Sequence, residues 1–334
     1  MEQSSWGLLT TITVSTNIPT SRRLPNGVIL IDRINLLRSR DLKDIAYRID
    51  ALISPPKSAA RQDWQRHLEH AGVLINAELQ KPVPVIDIDQ RPAGEPPKFD
   101  IEGILAQNKT NILYGSGGTG KSLFAVRMAA SLALGLHLVG FNTYEQGGTL
   151  YLDWEDDADT MVHRMEQVCA GLGMERIPMA YKSMHGKGPY ERHHADLKHY
   201  LNENPGIKLV IFDSTAMAMH GGTSGDGADG AIKFFSLVGQ LPVTRLLIDH
   251  LSSEDVKHGS GSAKPFGSVF KVNSARNMWE MVPWNKDNVG HGFTLKHRKT
   301  NVGPKLDSAE VEVNWSRSNV TFKRVDALPE DPNA

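Results

Sequence analysis

The sequence contains very little cysteine: Cys169 is alone among 334 residues. It can form neither an internal disulfide nor a zinc site built from cysteines, so we expect a reducing, intracellular setting and predict a cytoplasmic protein. Net charge is also nearly absent, because 37 Lys and Arg are balanced by 38 Asp and Glu. This balance removes the simplest argument for a nucleic-acid partner, a globally basic protein, but it does not exclude a local basic surface.

A secretory signal and a membrane span are not expected. No Lys or Arg precedes Arg22, and no compact apolar core follows it. Residues 123–141 are apolar for nearly the ~20 residues that a span needs. They include Arg127 and His137 and begin directly after a glycine-rich loop, which favours a buried helix.

The chain divides into four predicted segments. The first is a small N-terminal module for assembly or docking, with β segments around a Pro-Asn-Gly turn and then two amphipathic helices. A winged-helix-like DNA contact is the alternative, although no basic recognition helix stands out. The next is proline-rich and predicts a linker, and the end is polar and predicted to fray. The predicted boundaries are 1–80 (module), 81–100 (linker), 101–326 (main domain) and 327–334 (tail).

The main domain predicts an α/β fold. The short apolar strands NILY, TLYLDW, KLVIFD and RLLIDH alternate with helical stretches, which indicates a mostly parallel central sheet. Near the end, FTLKH, AEVEVNW and VTFKRV alternate apolar and polar residues, which indicates antiparallel C-terminal strands.

A glycine-rich loop between a strand and a long helix carries the strongest motif. GSGGTGKS fits G-x-x-x-x-G-K-[ST], and its context makes a chance turn the weaker interpretation. Its backbone N–H groups would cradle phosphates, Lys121 would reach the β- and γ-phosphates, and the Ser122 hydroxyl would bind Mg²⁺. We therefore predict binding of ATP and Mg²⁺. The binding residues are Gly115, Ser116, Gly117, Gly118, Thr119, Gly120, Lys121 and Ser122.

Two carboxylates at strand ends complete the predicted chemistry. Asp213 ends a buried strand, where it is placed to support the Mg²⁺ water shell, although capping the following loop is the alternative. Glu155 ends another strand, where it could activate the attacking water. Asp153 is on the same face and is the second choice for this base. The acids after Glu155 have a simpler role at the N-terminus of the next helix.

His250 ends a third core strand and precedes a polar segment. A neutral polar donor at this place could sense the γ-phosphate and pass its presence into the segment that follows. A structural role is the alternative, because a lone histidine is usually structural.

This order of motifs resembles the RecA-type ATPase core. Within that class it most resembles the RepA-like hexameric replicative helicases of plasmids and phages, relatives of the DnaB and KaiC groups. The resemblance covers residues 99–325. It implies a homo-oligomeric ring, usually a hexamer, with ATP at subunit interfaces and single-stranded DNA in the channel. It also implies that Glu155 is the catalytic carboxylate, Asp213 the Mg²⁺-linked acid and His250 the γ-phosphate sensor.

Family members supply a basic finger to the neighbour's nucleotide from a late β hairpin. The matching segment is LKHRKTNVG, and Arg298 is the first choice because a guanidinium stays charged and bridges phosphate oxygens. Lys296 and Lys299 are alternatives, a solvated basic turn is a further one, and Arg276 is either an interface arginine or an ordinary salt-bridge partner.

Two glycine-rich segments, residues 220–230 and 252–267, match the place of the family's DNA loops. The second contains spaced cations that suit a phosphate backbone, whereas the first contains acids and no Lys or Arg, which weakens its case. Residues 256–305 contain nine Lys or Arg against two acids, a local excess of +7.

We therefore predict a ring-forming ATPase motor on single-stranded DNA, a replicative helicase of a plasmid, phage or integrated element. The alternative is a RecA-fold ATPase that does not unwind DNA: a KaiC-like regulator, a recombination mediator or a complex-remodelling ATPase. A small-molecule phosphotransferase is the least favoured, because a water-activating Glu155 and glycine-rich loops suit hydrolysis and polymer contact better.

Overall fold

The protein is described by a computed structural model. The chain forms two compact units, Met1–Gly94 and Glu95–Ala334. Their boundary falls inside the predicted linker 81–100, and the predicted tail 327–334 lies outside the described residues. Those residues are 2–4, 7–15, 28–36, 38–52, 63–82, 84–90, 94, 96–220, 228–251, 269–284 and 292–325.

The first unit contains a three-stranded antiparallel sheet of β1 (Glu2–Ser4), β2 (Gly7–Ser15) and β3 (Val28–Asn35). Two helices follow, α1 (Ser39–Leu52) and α2 (Trp64–Leu79), in agreement with the amphipathic pattern. The apolar side chains of α1 recur every three or four residues and pack with α2 around a small core. That core contains Leu36, Leu42, Ile45, Ile49, Leu52, Trp64, Leu68 and Ile75.

The second unit contains eleven strands among its described residues. Their bounds are β4 Phe99–Ile101, β5 Leu105–Ala106, β6 Thr110–Gly115, β7 Gly148–Asp153, β8 Met179–Ser183, β9 Ile207–Asp213, β10 Thr244–His250, β11 Asn277–Pro283, β12 Gly292–Thr300, β13 Ala309–Trp315 and β14 Val320–Arg324.

Six α-helices of this unit lie in the described ranges. Their bounds are α3 Lys121–Leu134, α4 Ala158–Gly171, α5 His194–Glu203, α6 Thr215–Met219, α7 Ala228–Gly239 and α8 Val269–Ser274. Short 3-10 turns occur at Ile88–Gln90 in the first unit and at Tyr190–His193 in the second.

Nine of the strands form one sheet in the order β14-β13-β12-β11-β6-β10-β9-β7-β8. Neighbouring strands are parallel in the part β11-β6-β10-β9-β7-β8. The pairs β11–β12, β12–β13 and β13–β14 are antiparallel. The predicted fold class is therefore confirmed: a mostly parallel central sheet with antiparallel C-terminal strands, as in P-loop NTPases.

Helices cover both faces of the parallel half of this sheet. One face packs against α3 and α4, and the other packs against α5, α6 and α7. The central strands are buried on both faces, which explains why β6 and β9 read as continuous apolar runs rather than as alternating ones. Of the stretch 123–141 that was expected to form a buried helix, only 123–134 are helical. They lie in α3, which is buried along most of its length and ends at Leu134 because Gly135 takes a left-handed conformation (φ 68°). In the described parts of the chain, no helix is both long enough and apolar enough to cross a membrane.

Candidate active site

The phosphate loop joins the central strand β6 to α3. Gly118 (φ 76°) and Gly120 (φ 83°) adopt left-handed backbone conformations that non-glycine residues rarely take, so the loop can turn its amides inward. Gly115 lies so close to β11 that an added Cβ would be 2.4 Å from the Met281 carbonyl oxygen. Gly120 precedes α3 without a side-chain cap, and the first amides of the helix therefore point into the loop.

Lys121 is the first residue of α3, and its ammonium group reaches back to the loop. Its Nζ donates to the carbonyl oxygens of Gly115 (3.1 Å) and Ser116 (2.8 Å). Burial lowers the pKa of Lys121 to about 8, while the nearby carboxylates, of which Asp213 acts most strongly, oppose that shift. The ammonium group is thus surrounded by oxygens in a place where a phosphate would be a strong additional partner.

Asp213 ends β9, beside the phosphate loop, and its side chain is buried. Tyr151 of β7 donates its hydroxyl to Asp213 Oδ2 at 2.6 Å. Burial raises the pKa of Asp213, and hydrogen bonds from Ser122 and Tyr151 partly offset this. Burial, above all, also raises the pKa of Tyr151 well above its ordinary value, so that the phenol remains a donor. The structure therefore places the Ser122 and Asp213 side chains next to each other.

Glu155 follows β7, and its side chain is 40% exposed toward solvent. A hydrogen bond with His250 is the main cause of a lowered pKa at Glu155, which keeps this carboxylate ionised at neutral pH. Asp153 behaves differently, because it is buried and its Oδ1 accepts the backbone N–H groups of Glu155 (3.0 Å) and Asp156 (2.9 Å). Asp153 thus holds the turn that presents Glu155, which leaves Glu155 the better placed of the two to meet water.

Among the acids after Glu155, Asp157 has the role expected from its place before a helix. Asp157 is the N-cap of α4, and its Oδ1 accepts the Thr160 amide at 2.8 Å. Asp156 forms an ion pair with Arg164 at 2.5 Å.

His250 ends β10, and its Nε2 lies 3.5 Å from Glu155 Oε1. Its backbone amide donates to Asp249 Oδ1 at 2.9 Å, and Asp249 Oδ2 in turn accepts from Lys271 Nζ at 2.8 Å. The strand end that carries His250 is therefore tied to α8, which contains Lys271. Periodicity alone did not identify Asp249 or Lys271, although an aspartate inside an apolar strand was a visible signal.

The residues at this edge fit a nucleotide with Mg²⁺. A glycine loop, a helix N-terminus and a buried lysine together suit a polyphosphate. A serine hydroxyl beside an aspartate offers the hard oxygen ligands that Mg²⁺ takes together with substrate phosphates. Because β6, β7, β9 and β10 are parallel, Ser122, Glu155, Asp213 and His250 all come to the carboxyl edge of the sheet, where α/β folds bind ligands.

The predicted finger residues lie on the opposite side of β6 from β10, with Lys296, Arg298 and Lys299 on β12 and Arg276 just before β11. Arg298 of β12 forms an ion pair with Glu280 of β11, with its terminal nitrogen 2.5 Å from Glu280 Oε2. Lys299 Nζ donates to carbonyl oxygens at the end of α8, among them those of Val272 (2.6 Å) and Ala275 (2.8 Å). Lys299 therefore has a structural role in this chain, whereas Arg276 is exposed and Lys296 is half-buried.

The predicted DNA segments fall mostly outside the described residues, which stop at 220 and resume at 228, and stop at 251 and resume at 269. Each begins beyond a strand of the nucleotide edge: the first follows β9 and α6, and the second follows β10.

Comparison with known proteins adds a family to this geometry. Residues 76–254 match the AAA domain family. The matched span contains the phosphate loop and the strands that lead to Glu155, Asp213 and His250, and it stops before β11–β14. No curated protein matches the chain.

Proposed function

Since the chain belongs to the AAA domain family and is a P-loop ATPase, we propose that it uses ATP hydrolysis as a ring-forming motor on single-stranded DNA. A replicative helicase of a plasmid, phage or integrated element is the specific form that we propose. The observation that carries the proposal is the contact between His250 and Glu155.

The side chains at the phosphate loop have complementary parts in hydrolysis. Lys121 and the loop amides neutralise phosphate charge, and Ser122 with Asp213 would hold Mg²⁺. When bound, Mg²⁺ supplies charge neutralisation on the phosphate oxygens. Glu155 stays ionised, so it can orient a water molecule and accept its proton as that water attacks the γ-phosphorus.

His250 supports a link between hydrolysis and a polymer. Its side chain touches the proposed base, and along the chain only Leu251 separates it from residues 252–267. A strand of DNA held by that segment would shift the end of β10, and with it the position of His250 beside Glu155. The rate of hydrolysis would then depend on DNA, which is the property that a motor needs.

In a ring, a basic residue of one subunit can contact the nucleotide bound to its neighbour. Arg298 remains our choice for that role, and we propose that it exchanges Glu280 for a phosphate of the neighbour's nucleotide. A hexamer with ATP at the interfaces is the assembly that we propose.

Several basic side chains are bound within their own chain, and this favours a second candidate, an ATPase that does not unwind DNA. Lys271, Arg298 and Lys299 contribute to the predicted excess of +7, yet each is bound to a carboxylate or to carbonyl oxygens of its own chain. A smaller basic surface suits a regulator, a recombination mediator or a complex-remodelling ATPase.

ATP hydrolysis measured with and without single-stranded DNA, at low and high salt, separates these candidates. The motor predicts DNA stimulation that weakens with salt, since each phosphate contact releases counterions. Light scattering with ATP tests the ring in parallel. Absence of both stimulation and salt-sensitive DNA binding would rule out the motor and leave the second candidate.

A further inference from the structure

We propose that Tyr151 is a positioning residue for the metal site, because its hydroxyl holds one oxygen of Asp213 and so orients the carboxylate toward Ser122. The inference rests on the proposed Mg²⁺ role of Ser122 and Asp213. Tyr151 itself would touch neither the nucleotide nor the metal, and would act only through Asp213.

The register of two neighbouring strands brings Tyr151 to Asp213. β7 and β9 are parallel, with Tyr151 opposite Ile211 and Asp153 opposite Asp213. Tyr151 therefore begins two residues before the level of Asp213 on the same face of the sheet, a distance of about 6.6 Å along the strand. A phenol side chain is long enough to span that distance, and its oxygen lies 2.6 Å from Asp213 Oδ2.

The Tyr151 ring is held firmly enough to orient its partner. It is fully buried in the core between the sheet and α3–α4, and it stacks on Tyr181 of β8 with ring centroids 6.4 Å apart. The terminal torsion of an aspartate is broad, so a single fixed donor on Oδ2 restricts the rotation of the whole carboxylate. The second carboxylate oxygen of Asp213, Oδ1, is then free to face Ser122.

Restricted rotation of the Asp213 carboxylate should strengthen Mg²⁺ binding. The ion demands near-ideal octahedral geometry, so a carboxylate that rotates freely is a poorer partner than one that is held. Loss of a hydrogen-bond partner behind a metal ligand typically lowers metal affinity by about 10–100-fold. A ring that merely filled the core would not change the Mg²⁺ requirement when its hydroxyl was removed.

Tyr181 provides a matched control. Its hydroxyl donates to the Asp156 carbonyl oxygen at 3.1 Å and approaches Asp153 Oδ2 at 3.4 Å, so it does not contact Asp213. Tyr151→Phe and Tyr181→Phe each remove one hydroxyl from adjacent, stacked rings.

The experiment titrates binding of a fluorescent ADP analogue with Mg²⁺ in the full chain. We expect Tyr151→Phe to raise the Mg²⁺ concentration for half-maximal enhancement of binding about tenfold. Binding without Mg²⁺ should be unchanged, which also shows that the variant is folded at the phosphate loop. Tyr181→Phe should match the native protein.

Asp213→Asn makes the outcomes distinguishable. If Asp213→Asn shifts the Mg²⁺ requirement and Tyr151→Phe behaves like Tyr181→Phe, the inference is overturned while the Mg²⁺ site stands. If Asp213→Asn causes no shift, the Mg²⁺ role of Asp213 and the inference fail together. In the double variant, Tyr151→Phe should add nothing to the effect of Asp213→Asn, because Tyr151 acts through Asp213. An additive effect would contradict that route.

Discussion

Lys271 Nζ lies 2.8 Å from Asp249 Oδ2, and neither side chain is more than 3% exposed. Burial raises the pKa of Asp249, while Lys271 opposes that shift. The pair fastens α8 to the strand that ends in His250, and Lys299 binds the other end of the same helix. The helix after the second predicted DNA segment is therefore fixed at both ends to strands of the sheet.

Removing one member of this pair should be much more damaging than removing both. Lys271→Met would leave Asp249 buried without its cation, and we expect it to lower the free energy of unfolding by about 3–5 kcal/mol. Asp249→Asn combined with Lys271→Met should recover most of that loss. Urea unfolding monitored by fluorescence measures both effects.

The exposed Lys198 of α5 is the control for the Lys271 prediction. Lys198→Met should change stability by less than about 0.5 kcal/mol, as is usual for surface substitutions. If Lys271→Met is equally mild, the pair does not anchor α8 in solution.

Replacement of the proposed base should separate binding from turnover. We expect Glu155→Gln to bind ATP with near-native affinity and to hydrolyse it about 10²–10⁴-fold more slowly, because a general base is lost. Single-turnover hydrolysis and equilibrium nucleotide binding are the two measurements. Asp159→Asn, an exposed acid in the first turn of α4, should leave both unchanged. Retained turnover in Glu155→Gln would move the base to Asp153.

His297 should make the protein sensitive to acid. Its Nδ1 accepts the Leu306 amide at 2.9 Å, so its Nε2 donates to Asn277 Oδ1 at 2.8 Å, and the ring stacks on Trp279. Burial lowers the pKa of His297 to about 4 from an ordinary value of 6.5. Between these values the unfolded chain binds a proton that the folded chain does not, so stability falls as pH falls from about 6.5 to 4.

The His297 contribution should amount to at most about 3 kcal/mol across that pH range. The free energy of unfolding of the native protein and of His297→Gln is measured at several pH values. Buried carboxylates with a raised pKa have the opposite pH dependence, but they are present in both proteins. The difference between the two curves therefore gives the His297 contribution. Parallel curves for the two proteins would show that His297 does not titrate in this way.

Arg298 can be tested for its two roles separately. Arg298→Ala should lower stability by roughly 1–3 kcal/mol, because the buried Glu280 carboxylate loses its partner. Adding Glu280→Gln should restore stability. If Arg298 also serves a neighbour's nucleotide, hydrolysis should stay about 10³-fold or more below native in the double variant, while Glu280→Gln alone remains active. Full activity in the stable double variant would confine Arg298 to its own chain.

Much of the fold could be predicted from local pattern. A strand buried on both faces gives a continuous apolar run, and this pattern predicted the strands around residues 111, 149, 208 and 245. A strand buried on one face alternates apolar and polar residues, and this pattern predicted the C-terminal strands. The edge strand β8 was not predicted, because MAYKS is short, half-exposed and without a clear period. The sheet order was equally beyond local pattern, since it depends on contacts between distant segments.

Residues of the candidate site could be predicted where their role follows from neighbouring residues in the sequence. The phosphate loop lies within eight consecutive residues, and Glu155, Asp213 and His250 were identified as polar ends of apolar strands. Tyr151, Lys271 and Glu280 were missed, because each matters only through a partner on another element: Asp213, Asp249 and Arg298 respectively.

The sequence by itself determined that this chain has a phosphate loop in a parallel α/β sheet and very little net charge, since these follow from residue order and composition. Only the tertiary structure decided how the charges are used. Lys271, Arg298 and Lys299 count toward a basic excess in the sequence, yet folding binds them to carboxylates and helix carbonyls. The physical reason is that burial requires a partner for every charge, and the strand order determines which partners come within reach.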